Sequence, residues 1–115
     1  MNMLTKMALG LIGQMRPDAP TGDSSPAVVL PPPQTQGGLP LMQALALRHS
    51  ERSFDTAALP AQTLSDLLWA AAGINRPEQG GRTAPSAMNS QEVDVYLALP
   101  EGLYLYDPQA HALQR

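Results

Sequence analysis

Cysteine is absent from the 115-residue chain. Its absence excludes disulfides, thiolate zinc sites, iron–sulfur ligation and a cysteine nucleophile. Histidine is nearly as scarce. His49 and His111 are the only two, too few for a metal centre built mainly on imidazole, and no metal is expected. Charge is thin as well: charged residues make up 15% of the sequence, ten acidic against seven basic, for a net charge of −3. A chain of that sign has no general attraction to nucleic acid backbones, so no nucleic acid partner is expected. No apolar run approaches the ~20 residues that cross a bilayer, and no membrane partner is expected either.

What is abundant is proline, 12 residues in all. Seven of them fall within residues 16–40, including Pro31-Pro32-Pro33, with Gly22, Gly37 and Gly38 between and after. Proline blocks helix and central strand, so this lead should be extended or disordered. Such a segment can be a ligand for a proline-recognition domain, or else a tether into the domain or an arm along a partner subunit; composition favours the tether or arm over the ligand. Ahead of it, Lys6 precedes an apolar stretch from Met7 to Ile12, interrupted by Gly10. An export signal needs ~7–15 apolar residues and a small-x-small cleavage site. The expectation is therefore a cytoplasmic protein, with export to the periplasm as the weaker alternative. Residues 1–38 read as an apolar N-terminus and a disordered proline-rich lead, and residues 39–115 as the folded part.

Within the folded part, Pro40 suits the first turn of a helix. Leu41, Ala44, Leu45 and Arg48 then share one side, and the helix should end near Ser50. A second helix begins at Pro60. Its stripe is Leu64, Leu67, Leu68 and Ala71, widened by Trp69 and Ala72, and Gly73 follows its end. Residues 73–90, with three glycines and two prolines, read as loop. Val93, Val95, Leu97 and Leu99 alternate with Glu92, Asp94, Tyr96 and Ala98, which predicts a strand. Leu103 to Tyr106 predicts a second, and His111 to Gln114 a possible third. Two helices followed by a short β-meander give the α+β class. Two helices and so few strands leave sheet edges bare and one face uncovered. A truncated domain or an obligate partner is implied.

Two polar constellations carry the chemistry. The first is Arg48-His49-Ser50-Glu51-Arg52-Ser53-Phe54-Asp55. Two guanidinium forks four residues apart, with the Ser50 hydroxyl between them, suit a phosphate monoester. The plainer alternative is a solvated helix end whose cations complement the helix dipole. Glu51 and Asp55 neutralise much of the local charge, so an anion site here must work through geometry. The second is Thr83-Ala84-Pro85-Ser86-Ala87-Met88-Asn89-Ser90-Gln91. Its small residues let a flat ligand approach the backbone, and its amides offer donors and acceptors; an ordinary loop leading into a strand is the alternative. Other chemistries lack their residues. There is no glycine-rich dinucleotide fingerprint and no phosphate-loop lysine. Ser86 has no nearby base. Trp69 and Met42, at helical positions, read as core.

Taken in order, Arg-His-Ser-x-Arg-x-Phe-Asp and Pro-Ser-x-x-Asn-x-Gln resemble the nitroreductase family of FMN-dependent oxidoreductases. Leu67-Leu68-Trp69-Ala70-Ala71, then Gly73-Ile74-Asn75-Arg76-Pro77, resembles the branch that includes the azoline-oxidising dehydrogenases of peptide maturation. The resemblance runs from about Leu39 to Arg115 and covers the N-terminal half of the family domain. It implies a mixed sheet flanked by helices, in an intertwined homodimer with FMN at the interface. It implies that Arg48, Ser50 and Arg52 hold the FMN phosphate, with His49 in the same motif. Pro85, Ser86 and Ala87 would lie against the flavin, while Asn89 and Gln91 match the motif and could hold the loop. NAD(P)H as electron donor and a small-molecule acceptor, a nitro compound or a quinone, follow from the same resemblance. A non-catalytic fragment that pairs with another subunit is the alternative.

Overall fold

Pro40 and Pro60 each stand immediately ahead of a helix in the computed structural model, which describes residues 26–115 of the chain. Proline has no N–H to leave unpaired, and each carbonyl accepts the first helical bond, from Ala44 N and Leu64 N. Helix α1 is Leu41–Leu47 and α2 is Ala61–Ala72. The first helix ends at Leu47, earlier than its periodicity suggests, because Arg48 turns into an extended conformation. The second ends where expected. Gly73 lies against Trp69, and a Cβ there would sit 2.4 Å from the indole Cδ1.

The strands are β1 Val28–Val29, β2 Ile74–Arg76, β3 Gly81–Arg82, β4 Tyr96–Leu99, β5 Gly102–Asp107 and β6 Ala112–Gln114. Four of them form an antiparallel sheet in the order β1-β6-β5-β4. Leu97 pairs with Tyr104, and Tyr106 with Leu113. Paired residues share a face, and this one is covered by α2: Leu30, Leu68, Leu97, Tyr104, Tyr106 and Leu113 form the core, with Leu64, Ala72, Val95 and Leu99 packed against it. The α+β class holds, and so does the uncovered face, where Leu103 and Tyr96 are exposed.

Four expectations are corrected. Residues 73–90 are not all loop, since β2 and β3 pair as a hairpin around Gly80, whose φ of +64° favours glycine. The expected strand over 93–99 begins only at Tyr96, and Val93 is exposed. The buried side of α2 is Leu64, Ser65, Leu68 and Ala72, so Leu67 and Ala71 face solvent. Met42 is 76% exposed and is not core, while Trp69 is half-buried.

The lead is also more ordered than its composition suggests. Residues 1–25, which carry the candidate export signal and the start of the lead, lie outside the described residues. From Val28 onward the lead is part of the fold. Val28 and Val29 pair with Leu113 and Ala112, and Leu30 is buried. Ser65, fully enclosed on α2, donates to Pro31 O at 2.5 Å. Gln62 donates to Pro32 O, and Gln34 N to Asp66 Oδ1 at 2.8 Å. Proline lacks a donor and keeps its carbonyl, so a proline run can be held entirely through its oxygens. The disordered lead expected through residue 38 therefore does not extend over residues 28–34.

Candidate functional site

The two constellations fall in different settings. Residues 39–59 form an arm whose side chains are all exposed. Arg48 closes α1, its N–H donating to Ala44 O, and His49, Ser50 and Arg52 follow it in extended chain. The local acidic groups are turned back on the backbone. Glu51 Oε1 accepts from Arg52 N and Ser53 N at 2.9 Å each, and Asp55 Oδ1 accepts from Ala57 N. The Ser53 N–H, then the His49 ring, then the Arg52 N–H hold the Glu51 carboxyl below its ordinary range. His49 lies between Leu47 O at 3.1 Å and Glu51 Oε2 at 3.4 Å. No described carboxylate pairs with the Arg48 or Arg52 side chain. Both forks are thus uncommitted, which geometry rather than net charge allows.

Pro85, Ser86, Ala87 and Asn89 belong to the body. They follow β3 and precede the sheet, and Gln91 organises them. Gln91 N donates to Ser86 Oγ at 2.7 Å, and its Nε2 donates to Gly80 O at 2.7 Å and to Asn89 Oδ1 at 2.9 Å. Met88, Asn89 and Gln91 all have positive φ, between 50° and 55°, a conformation that costs free energy unless its surroundings enforce it. Gln91 provides that enforcement, and Asn89 takes part in it.

This loop and the C-terminal end of α2 enclose a cleft of about 210 Å³. Ala71, Ala72, Pro85, Ala87, Val93 and Val95 give it an apolar lining, and Ser86, Gln91, Arg82 and Glu92 supply the polar groups. A second cleft of about 350 Å³ adjoins it, with Arg82, Ala84, Pro85 and Ser86 common to both. Neither cleft is lined by any residue of the arm. One chain therefore brings Pro85, Ser86, Ala87 and Asn89 together, and leaves Arg48, His49, Ser50 and Arg52 apart from them.

Arg82 is the residue that the sequence reading missed. Its Nη2 donates to Gln91 Oε1 at 2.9 Å, and its Nε is buried with no acceptor. The available signal was its position, directly after Gly80-Gly81 and three residues before Pro85. A second unforeseen network is Ser65–His111–Tyr106. Ser65 donates to Pro31 O, so His111 Nε2 (2.6 Å) donates to Ser65 Oγ, and Tyr106 OH donates to His111 Nδ1 at 2.8 Å. Burial pushes the Tyr106 hydroxyl upward, with Arg82 opposing and Asp107 reinforcing. Although serine meets histidine here, Ser65 is fully enclosed and has no path to a substrate, so the network is a structural clasp. Among the described residues no group of three or more metal-ligating side chains occurs, and no helix is long and apolar enough to cross a membrane.

Comparison with known proteins gives a consistent picture. Residues 45–115 match the family model described as Nitroreductase family. Among solved structures the chain is similar to a protein from Ralstonia eutropha JMP134 provisionally assigned as a nitroreductase. The identity is 52% and the TM-score 0.70, and the match covers 86% of this chain and 46% of that one. The chain thus spans about half the length of that relative. No curated protein matches it.

Proposed function

The chain belongs to the nitroreductase family, and from that premise we propose that it supplies the FMN-holding part of a flavin-dependent oxidoreductase that works as a cytoplasmic homodimer. The observation that carries this reading is the apolar cleft beside Pro85, Ser86 and Ala87. Small side chains on a loop fixed by Gln91 leave room for a flat ring against the backbone.

The residues present fit FMN. Arg48 and Arg52 offer fork donors that no described carboxylate occupies, and two forks match the oxygens of a phosphate monoester. Ser50 adds a hydroxyl, and His49, bonded to Leu47 O, stiffens the segment between them. Pro85, Ser86 and Ala87 would cover one face of the ring, with Asn89 and Gln91 fixing the loop that carries them. Bound FMN would supply hydride-accepting chemistry, drawing on NAD(P)H and serving a nitro, quinone or related acceptor, or a peptide azoline in that branch. The protein's own part is to bind, orient and shield.

Dimerisation would reconcile the two settings. Leu41, Met42, Leu45, Leu47 and Phe54 are exposed on the arm, Phe54 by 90%. A seven-residue helix is not stable in isolation, and an apolar surface of that kind marks a contact. A second copy would cover the arm and present its arginines to the partner's cleft.

Fluorescence titration with FMN and riboflavin tests the reading. Arg48→Ala or Arg52→Ala should weaken FMN about tenfold to hundredfold, as charge-assisted bonds imply. Riboflavin, which lacks the phosphate, should bind the parent weakly and respond little to either change. Equal binding of FMN and riboflavin by the parent would defeat the phosphate assignment.

A further inference from the structure

Arg76 and Arg82 stand at the two sides of the β2–β3 hairpin, beside the cleft assigned to the flavin ring, and have no role in the reading above. Gly81 brings them together. A Cβ at Gly81 would lie 2.4 Å from Arg76 Nε and 2.7 Å from Cζ, so the Arg76 guanidinium occupies the space a side chain would fill. From there its Nη2 donates to Arg82 O at 3.2 Å. Arg82 is pinned in turn through Nη2 to Gln91 Oε1 at 2.9 Å. Its Nε is shut away without an acceptor, a desolvation cost that an apolar side chain would avoid. The bond to Gln91 accounts for Nη2 and leaves Nε unanswered, so holding the loop does not by itself explain an arginine at this position.

Both guanidiniums line the second cleft, together with Gln79, Asn89 and Ser86. Among the described residues no carboxylate lines that cleft, and none pairs with either arginine. Glu92, by contrast, lines the adjoining apolar cleft. Charge thus directs an anion to one side of the ridge formed by Arg82, Pro85 and Ser86, and leaves the other side to an apolar group.

We propose that this second cleft is an anion site, and that it takes the carboxylate or phosphate of a reactant whose apolar part meets the edge of the ring assigned to the neighbouring cleft. Two forks already pinned by one hydrogen bond each lose little freedom on binding, and a planar oxoanion can accept from both. The reactant's part in electron transfer rests on the proposed function; the anion site rests on the arginines alone.

Nitrogen–proton correlation spectra of the full chain, read at the arginine Nε–Hε signals, test the site with inorganic phosphate and with benzoate. The expected result is a saturable shift at Arg76 and Arg82 with a dissociation constant of about 1–10 mM. Arg115, which donates to Glu101 O on another surface, serves as the control and should move little. Tighter benzoate binding assigns a carboxylate reactant, and tighter phosphate binding a phosphorylated one. Arg76→Gln should weaken the preferred anion about fivefold to tenfold. Gly81→Ala should weaken it at least about threefold while leaving the net charge unchanged, because the new Cβ displaces the guanidinium. Unsaturable shifts, equal shifts at all arginines, or undiminished binding by Gly81→Ala would overturn the proposal. The probes carry no flavin, so the two readings fail separately: saturable anion binding without FMN binding defeats the proposed function alone, and FMN binding without anion shifts at Arg76 and Arg82 defeats this site alone.

Discussion

The arm over residues 39–59 and the body that follows it are built on opposite terms. The body buries Leu68 to 3% exposure and Leu113 to 2%, and it fixes its cleft loop through Gln91 and Ser86. The arm buries nothing: α1 has no buried residue, and Phe54 stands 90% exposed. The motif on the body is thus shaped within one chain. The motif on the arm has its donors uncommitted and its position unsupported, so its geometry depends on what the arm packs against. A family motif shows which atoms are available; the surrounding packing decides whether they are already in place.

The largest expected effect comes from breaking the body alone. Leu68→Ala should cost about 2–5 kcal/mol in denaturant unfolding, because it empties the contact between α2 and the sheet. Leu45→Ala, on the exposed side of α1, should stay within about 0.5 kcal/mol in dilute chain. A comparable loss from both would mean that the arm folds as part of the body. At concentrations that favour self-association, a penalty should emerge for Leu45→Ala, because a partner would then cover it.

A smaller effect sharpens the boundary between lead and body. Ser65→Ala removes the hydroxyl shared by Pro31 O and His111 Nε2. Pro31 and His111 are half-buried, so water replaces part of what is lost, and the change should cost about 1–3 kcal/mol in all. Hydrogen exchange should accelerate at the Leu30 amide, which donates to His111 O, while the Tyr104 and Leu97 amides should change less. Unaltered protection at Leu30 would show that the β1–β6 pairing holds the lead without the clasp.

The smallest effect is pH-dependent. The Gln34 N–H, and then the Gln62 amide, hold the Asp66 carboxyl below its ordinary value. The native state therefore binds that proton less readily than the unfolded chain, and stability rises with pH through this group. Its contribution is complete above the unfolded value of about 3.9 and lost as pH falls through the lower native value. Asp66→Asn keeps an acceptor and removes the titration, so it should flatten the acid limb of stability measured between about pH 2 and pH 5. An unchanged acid limb would place the dependence on other carboxylates.

Much of this organisation was legible in the chain. Pro40, Pro60 and Gly73 marked where helices start and stop, because their backbone constraints are local. The alternation through Leu97 and Leu99, and the turns after Leu99 and Asp107, gave the meander for the same reason. Periodicity served less well where burial depends on a partner surface. It put Leu67 and Ala71 on the inner side of α2, although the enclosed position is Ser65, and a serine carries no hydrophobic signal.

By itself, then, the sequence determined the α+β class, the second helix and the two polar constellations, all of which follow from local conformational preference and from residue chemistry. Only the tertiary structure decided that Val28 to Gln34 is part of the sheet and its cap. Proline content describes the chain's own preferences, and not the donors on Ser65, Gln62 and the β6 edge that meet its carbonyls. It also decided that Arg82 belongs with Pro85 and Ser86 while Arg48 and Arg52 do not. Neighbourhood in space depends on how Gln91 pins one loop and on the absence, among the described residues, of any hydrogen bond from residues 39–59 to the body, and no spacing within the sequence encodes that difference.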